Sequence, residues 1–136
     1  MESRVQKTLE NHKKGYNCAQ AVACAYCDLV GVDEATMFKA AEAFGAGMGG
    51  MSTTCGAVSG AVLLAGFKNS DGEFQKPKTK GRSYQLSRQI VEAFREKNTT
   101  VICKELKGVE TKKVLRSCDG CIEDAAAIAE KILFAE

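Results

Sequence analysis

The chain has 136 residues, enough for one domain whose buried core needs no disulfide staples. Apolar residues make up 45% and charged residues 26%, which excludes wholesale disorder. Lys and Arg together number 19 against 17 for Asp and Glu, a net charge of +2, and this near-balance argues against a dedicated nucleic-acid binder.

Strand alternation is nowhere sustained and β-branched residues do not cluster. The expected fold class is all-α, a single-domain bundle over residues 1–136 of about six to seven helices around a central apolar, Gly/Ala-rich helix. Ser3 is placed to cap a first helix, with Val5 and Leu9 on one face and an end near Gly15. Asn17 caps a second, which Gly31 ends. Asp33 caps a third, Glu34 to about Phe44, with Val32 and Met37 as its hydrophobic staple. After the run Gly45-Ala46-Gly47-Met48-Gly49-Gly50, the side chains of Ser52, Thr53 and Thr54 offer cap oxygens for a fourth helix reaching about Phe67.

Residues 43 to 67 carry no charge, a length that would suit a membrane span. Seven of those 25 residues are Gly, however, and the apolar run proper covers only 55 to 67, so a helix packed on all sides is the better account. Gly56, Gly60, Ala57 and Ala61 give it smooth faces, which would also permit a homodimer. Residues 68 to 82 read as a polar loop in which Lys76, Lys78, Lys80 and Arg82 make a solvated basic patch. A fifth helix runs from about Lys80 to Lys97, with Leu86, Ile90, Ala93 and Phe94 on one face. A short helix from Val101 to Leu106 ends at Gly108, and a last helix runs from about Ser117 to the C-terminus.

The unusual feature is seven cysteines. The segment Met1 to Lys7 is polar and shows no secretory signal, and the cysteine count is odd. A reducing cytoplasm is therefore expected, with thiols free, metal-bound or catalytic. Helical phase puts Cys18 on a face with Ala21, Val22, Ala25 and Leu29, and Cys24 and Cys27 roughly on the other side. Cys121 shares a face with Ala125, Ile128 and Ile132, Cys103 lies beside Ile102 and Leu106, and Cys55 opens the central helix. Four converging helix ends would gather Cys18, Cys55, Cys103 and Cys121.

Cys55 carries the most specific chemistry. A helix N-terminus bears about half a positive charge and free N–H groups, which stabilise a thiolate and make it a better nucleophile or ligand. Gly47, Gly49, Gly50, Thr54 and Gly56 around it would let backbone approach an anion or cofactor. The competing account is a small apolar filler between helices. Of the two C-x-x-C pairs, Cys24–Cys27 is mid-helix and reads as packing. Cys118–Cys121 sits at a helix start behind Ser117, where a redox or ligand role stays open. Neither pair is followed by His, so covalent c-type haem is absent; the sole histidine, His12, reads as a surface residue. The glycine run follows no strand and lacks the GK[ST] of a P-loop, so neither dinucleotide nor P-loop binding is expected.

The ordered set of cysteine elements resembles a family of bacterial and archaeal redox-active proteins named for four cysteines and a C-G-A-x-x-G motif. Cys55-Gly56-Ala57-Val58-Ser59-Gly60 is similar to that motif, and Tyr16-Asn17-Cys18-Ala19-Gln20 to the first cysteine element. Cys103-Lys104-Glu105-Leu106-Lys107-Gly108 and Cys121-Ile122-Glu123-Asp124-Ala125-Ala126 are similar to the third and last. The resemblance spans residues 15 to 133 and implies an all-helical fold with a redox or metal role, without naming a reaction. Relatives resembling haem-carrying split-Soret cytochromes have an attachment motif that this chain lacks. Cys24, Cys27 and Cys118 lie outside the four.

The leading reading is thus a redox or metal protein using Cys18, Cys55, Cys103 and Cys121. In one version these four thiolates hold an iron–sulfur cluster or zinc. In the other, Cys55 is the nucleophile and another of the four resolves it as a disulfide, serving a redox partner. The alternative is a binding module that holds a small anion or cofactor at the Gly-rich loop, with the cysteines as lining. A third is a packing protein in which all the cysteines fill space.

Overall fold

Three of the helices begin where a side chain in the sequence supplies a partner for their free N–H groups. In the computed structural model, which describes residues 1–135, the helices are α1 (Val5–Lys13), α2 (Cys18–Ala25), α3 (Glu34–Glu42), α4 (Gly56–Asn69), α5 (Lys80–Asn98), α6 (Cys103–Lys107) and α7 (Cys118–Leu133). No strand occurs among the described residues, and no helix among them is long and apolar enough to cross a membrane. Glu136, the last residue of the expected final helix, lies outside the described residues.

Three expected caps are formed. The Asn17 side chain accepts from the Gln20 N–H at 2.9 Å, and the Gln20 side chain accepts from the Asn17 N–H at 3.0 Å, a reciprocal box that starts α2. Asp33 accepts from the Thr36 N–H at 3.0 Å, and Ser117 from the Gly120 N–H at 3.0 Å.

Three expectations change. α1 is preceded by Arg4, which caps nothing; Ser3 accepts only from the Val5 N–H at 3.3 Å, and the Arg4 guanidinium instead reaches Asp28 at 2.6 Å. The second helix does not run on to Gly31. It stops after Ala25, and Cys27–Val30 form a 3-10 turn ended by left-handed Gly31. The break falls at Tyr26, whose fully buried ring stacks on Phe134 with centroids 5.4 Å apart and whose hydroxyl donates to Glu130. Finally, Ser52, Thr53 and Thr54 do not cap α4. Thr54 pairs antiparallel with Ile102: the Cys55 N–H donates to the Val101 carbonyl at 2.7 Å and the Cys103 N–H to the Thr53 carbonyl at 2.9 Å. That pairing leaves Cys55 itself in the N-cap position.

α4 is the central helix and packs against α2, α5 and α7. Ala57, Val58, Ala61 and Leu64 are fully buried. α2 is also enclosed, with every residue from Ala19 to Ala25 buried, so the expected division into an inner and an outer face is absent there. The two backbones nearly touch: a Cβ at Gly60 would lie 2.6 Å from the Ala19 carbonyl oxygen. One buried carboxylate ties α5 to α7. Asp124 accepts from Lys97 at 2.8 Å, from Asn98 at 3.1 Å and from Arg116 Nε at 3.1 Å, so its charge is matched where water is excluded. The basic residues of the loop before α5 are exposed, as expected, with Lys78 3.7 Å from Asp71.

Candidate functional site

The starts of α2, α4, α6 and α7 meet around one cleft of about 270 Å³ lined by Cys18, Cys55, Cys103 and Cys118. Each position follows from local chemistry. Cys18 and Cys118 are the first helical residues after the caps Asn17 and Ser117. Cys55 and Cys103 are set side by side by the Thr54–Ile102 bridge. Cys121, one turn into α7, is fully buried behind the cleft, where its thiol hydrogen-bonds Cys55. The structure therefore brings together all four cysteines singled out in the sequence and adds a fifth, Cys118, which lines the cleft with Cys18.

The cation of the site is Lys107, four residues after Cys103 and so on the same side of α6. Its ammonium donates to Cys121 Sγ at 3.5 Å, and it lines the cleft with Cys118. Burial pulls its pKa down, but the adjacent Cys121, Cys118 and Cys55 sulfurs outweigh this and hold it up, so it stays charged.

The thiols differ sharply. Cys55 is held well below the ordinary thiol range, first by the hydrogen bond donated by Cys121. Burial opposes this, while the Ala57 and Val58 amides at the start of α4, together with Lys107, assist. Cys121 is driven the other way by the same hydrogen bond and by burial, so the pair shares one proton, held on Cys121. Burial, then the Cys118 and Cys55 charges, pushes Cys18 up to about 12. Burial also raises Cys103.

Sequence reasoning misses two participants, Lys107 and His12, and leaves a third, Cys118, open. Cys118 falls outside the four family cysteines, although Ser117-Cys118 repeats the cap-then-cysteine pattern of Asn17-Cys18. Lys107 is signalled only by its spacing to Cys103. His12 reads as a surface residue, yet it lines the cleft and pairs through Nδ1 with Asp119 at 2.8 Å. No local pattern links those two, which are 107 positions apart.

The remaining candidates separate from the thiols. Cys24 and Cys27 are buried elsewhere, beside α3, with the Cys24 thiol directed at the Glu34 carbonyl 3.9 Å away. Burial pushes Cys24 up to about 12 and raises Cys27 as well, so both stay protonated. In the Gly-rich stretch, Gly47 presses on Cys103, where a Cβ would come within 2.5 Å of the Cys103 Cβ. Gly56 lies against α2, where a Cβ would be 3.3 Å from the Cys18 Cβ. Gly49 and Gly50 are exposed, and a Cβ at either would meet no atom within 4 Å. Thr54 faces a separate apolar groove beside Phe44 and Met48. Among the described residues no group of three or more Cys, His, Asp or Glu side chains is arranged to hold a metal ion.

Comparison with curated proteins and with solved structures gave no match. A family model described as "Putative redox-active protein (C_GCAxxG_C_C)" matches residues 16–132, a span that contains Cys18, Cys55, Cys103 and Cys121. The chain belongs to this C_GCAxxG_C_C family.

Proposed function

We propose that the protein carries out thiol–disulfide redox chemistry, with the Cys55 thiolate as nucleophile and Cys121 as its disulfide partner. The observation that carries this reading is Cys55 in the N-cap position of α4, with Cys121 of α7 fully buried behind the cleft that Cys55 lines and the Lys107 ammonium 3.5 Å from Cys121 Sγ. Cys55 attacks one sulfur of a substrate disulfide, and the first substrate thiolate leaves. Cys121 then attacks the Cys55 sulfur of the mixed disulfide, and its proton goes out with the second substrate thiol. Two electrons pass from the protein to the substrate, and Cys55 and Cys121 end as a disulfide. Lys107 stabilises the negative charge that grows on Cys121 during the second attack.

The metal-ligand version of the sequence reading fits the site less well. The cation among the thiols is a lysine, whose ammonium donates to Cys121 Sγ at 3.5 Å. The test is anaerobic purification followed by pH-dependent alkylation with iodoacetamide and peptide mapping after one equivalent of oxidant. A single fast thiol that Cys55→Ser removes, and a Cys55–Cys121 cross-link, are expected. Stoichiometric iron or zinc protecting four thiols would overturn the proposal.

A further inference from the structure

The four thiols that pair in the cleft differ in depth. Cys121 is 0% exposed and Cys55 2%, whereas Cys18 and Cys118 are both half-buried at the mouth. A substrate arriving from solvent meets the outer two first.

Resting on the Cys55–Cys121 reading above, we infer that Cys18 and Cys118 form a second, outer dithiol that reacts with a low-molecular-weight disulfide and passes the oxidation inward to Cys55 and Cys121. Three observations carry this. Cys18 and Cys118 line the same cleft, each the first residue of its helix after the cap. The pairs adjoin: Cys18 packs against Gly56, the residue after Cys55, and Lys107, which lines the cleft with Cys118, donates to Cys121 Sγ at 3.5 Å. The cleft, at about 270 Å³, admits a small disulfide, but Cys121 does not line it.

The exchange is balanced at each step. The Cys118 thiolate attacks the external disulfide and the first small thiolate leaves, taking a proton from solvent. Cys18 attacks the Cys118 sulfur, and its proton leaves with the second small thiol. The outer pair is now a disulfide. The Cys55 thiolate attacks the Cys18 sulfur and releases the Cys118 thiolate beside Lys107. Cys121 then attacks the Cys55 sulfur; Cys18 leaves and takes up the Cys121 proton. The net result is one external disulfide reduced to two thiols and the Cys55–Cys121 disulfide formed, with the outer pair regenerated. With both pairs reduced, the cleft stores two disulfide equivalents.

The test uses the full, reduced chain with bis(2-hydroxyethyl) disulfide as the probe, acid quenching at set times, alkylation and mass mapping of cross-linked peptides. In the unaltered protein the Cys18–Cys118 link should appear first and decay as the Cys55–Cys121 link grows. In Cys55→Ser the reaction should stop at the outer link. In Cys18→Ser/Cys118→Ser the inner link should form at least about tenfold more slowly, since its attack must then come from a buried sulfur. Simultaneous appearance of both links, or an inner link formed at the unaltered rate without the outer pair, overturns the relay and leaves the Cys55–Cys121 reading standing. Absence of any Cys55–Cys121 link overturns both. The order of appearance in the unaltered protein decides the matter even if the double variant does not fold.

Discussion

Gly60→Ala tests the packing that positions the cleft. The new Cβ would sit 2.6 Å from the Ala19 carbonyl oxygen and 3.2 Å from the Ala19 Cα, about 1 Å inside normal contact with the oxygen. Those atoms are backbone, so no side chain can rotate away, and α2 must move off α4. Overpacking of this kind costs about 1–3 kcal/mol. Replacing a helical Gly by Ala returns about 1 kcal/mol, so the net loss is about 0–2 kcal/mol. Gly66→Ala is the control: it lies in the same helix with nothing within 4 Å of its Cβ, and it should gain about 0.5–1 kcal/mol. Urea unfolding should therefore place the midpoint of Gly60→Ala below that of Gly66→Ala, a stability difference of about 1–3 kcal/mol. Since α2 begins at Cys18, the same displacement should also slow formation of the Cys18–Cys118 link. Equal stability gains in both variants would refute the close approach of the two backbones.

The alkylation rate of Cys55 follows its thiolate fraction, which rises with pH, so its midpoint should fall below that of an ordinary thiol, and Cys121→Ala should move it upward by removing the largest stabilising contact. The same depressed ionisation is a stability term: it is present above the unfolded thiol's pKa and lost as pH falls through the lower folded value. The stability advantage of the unaltered protein over Cys55→Ser, followed by urea unfolding, should therefore shrink on going from pH 8 to pH 5 by about 1 kcal/mol or more. Asp124→Ala should cost about 2–4 kcal/mol by the same measurement, because a 3% exposed carboxylate with three donors is removed. Burial opposes ionisation of Asp124, but Lys97, Arg116 and Asn98 outweigh it and lower its pKa, so its contribution should persist above the usual carboxylate range and vanish only in stronger acid. Cys24→Ala and Cys27→Ala should leave Cys55 alkylation kinetics unchanged and cost about 1 kcal/mol each; a changed rate would show that the Cys24–Cys27 pair is not mere packing.

What the sequence revealed was local. Caps at Asn17, Asp33 and Ser117, and the stop at Gly108, are read from a few neighbouring residues, and the structure has them at those places. What it hid was long-range. Thr53 and Thr54 are good cap residues by type, but the 101–103 segment claims their backbone, and nothing near them says so. Tyr26 breaks α2 because it is buried against residues over a hundred positions away. The Gly-rich run suggested an anion cradle, yet Gly47 and Gly56 are needed where Cys103 and Cys18 crowd the backbone. Glycine before a helix start permits close approach of either a ligand or another chain segment, and composition alone cannot tell these apart.

The convergence also explains why one sulfur in particular is ionised. α2, α4 and α7 point their positive ends at the same cleft, and Lys107 adds a full positive charge. Such a gathering is unfavourable unless something negative sits within it. Of the four family thiols there, Cys18 and Cys103 are raised mainly by burial and Cys121 is raised by its contact with Cys55, whereas Cys55 is lowered. Cys55 alone stands in an N-cap position with amides directed at its sulfur and a thiol donor behind it. The close α2–α4 packing at Gly56 and Gly60 and the pairing of Thr54 with Ile102 are thus more than scaffolding. They hold the positive helix ends near enough for the Cys55 sulfur to answer them, which is the position that the proposed inner dithiol needs.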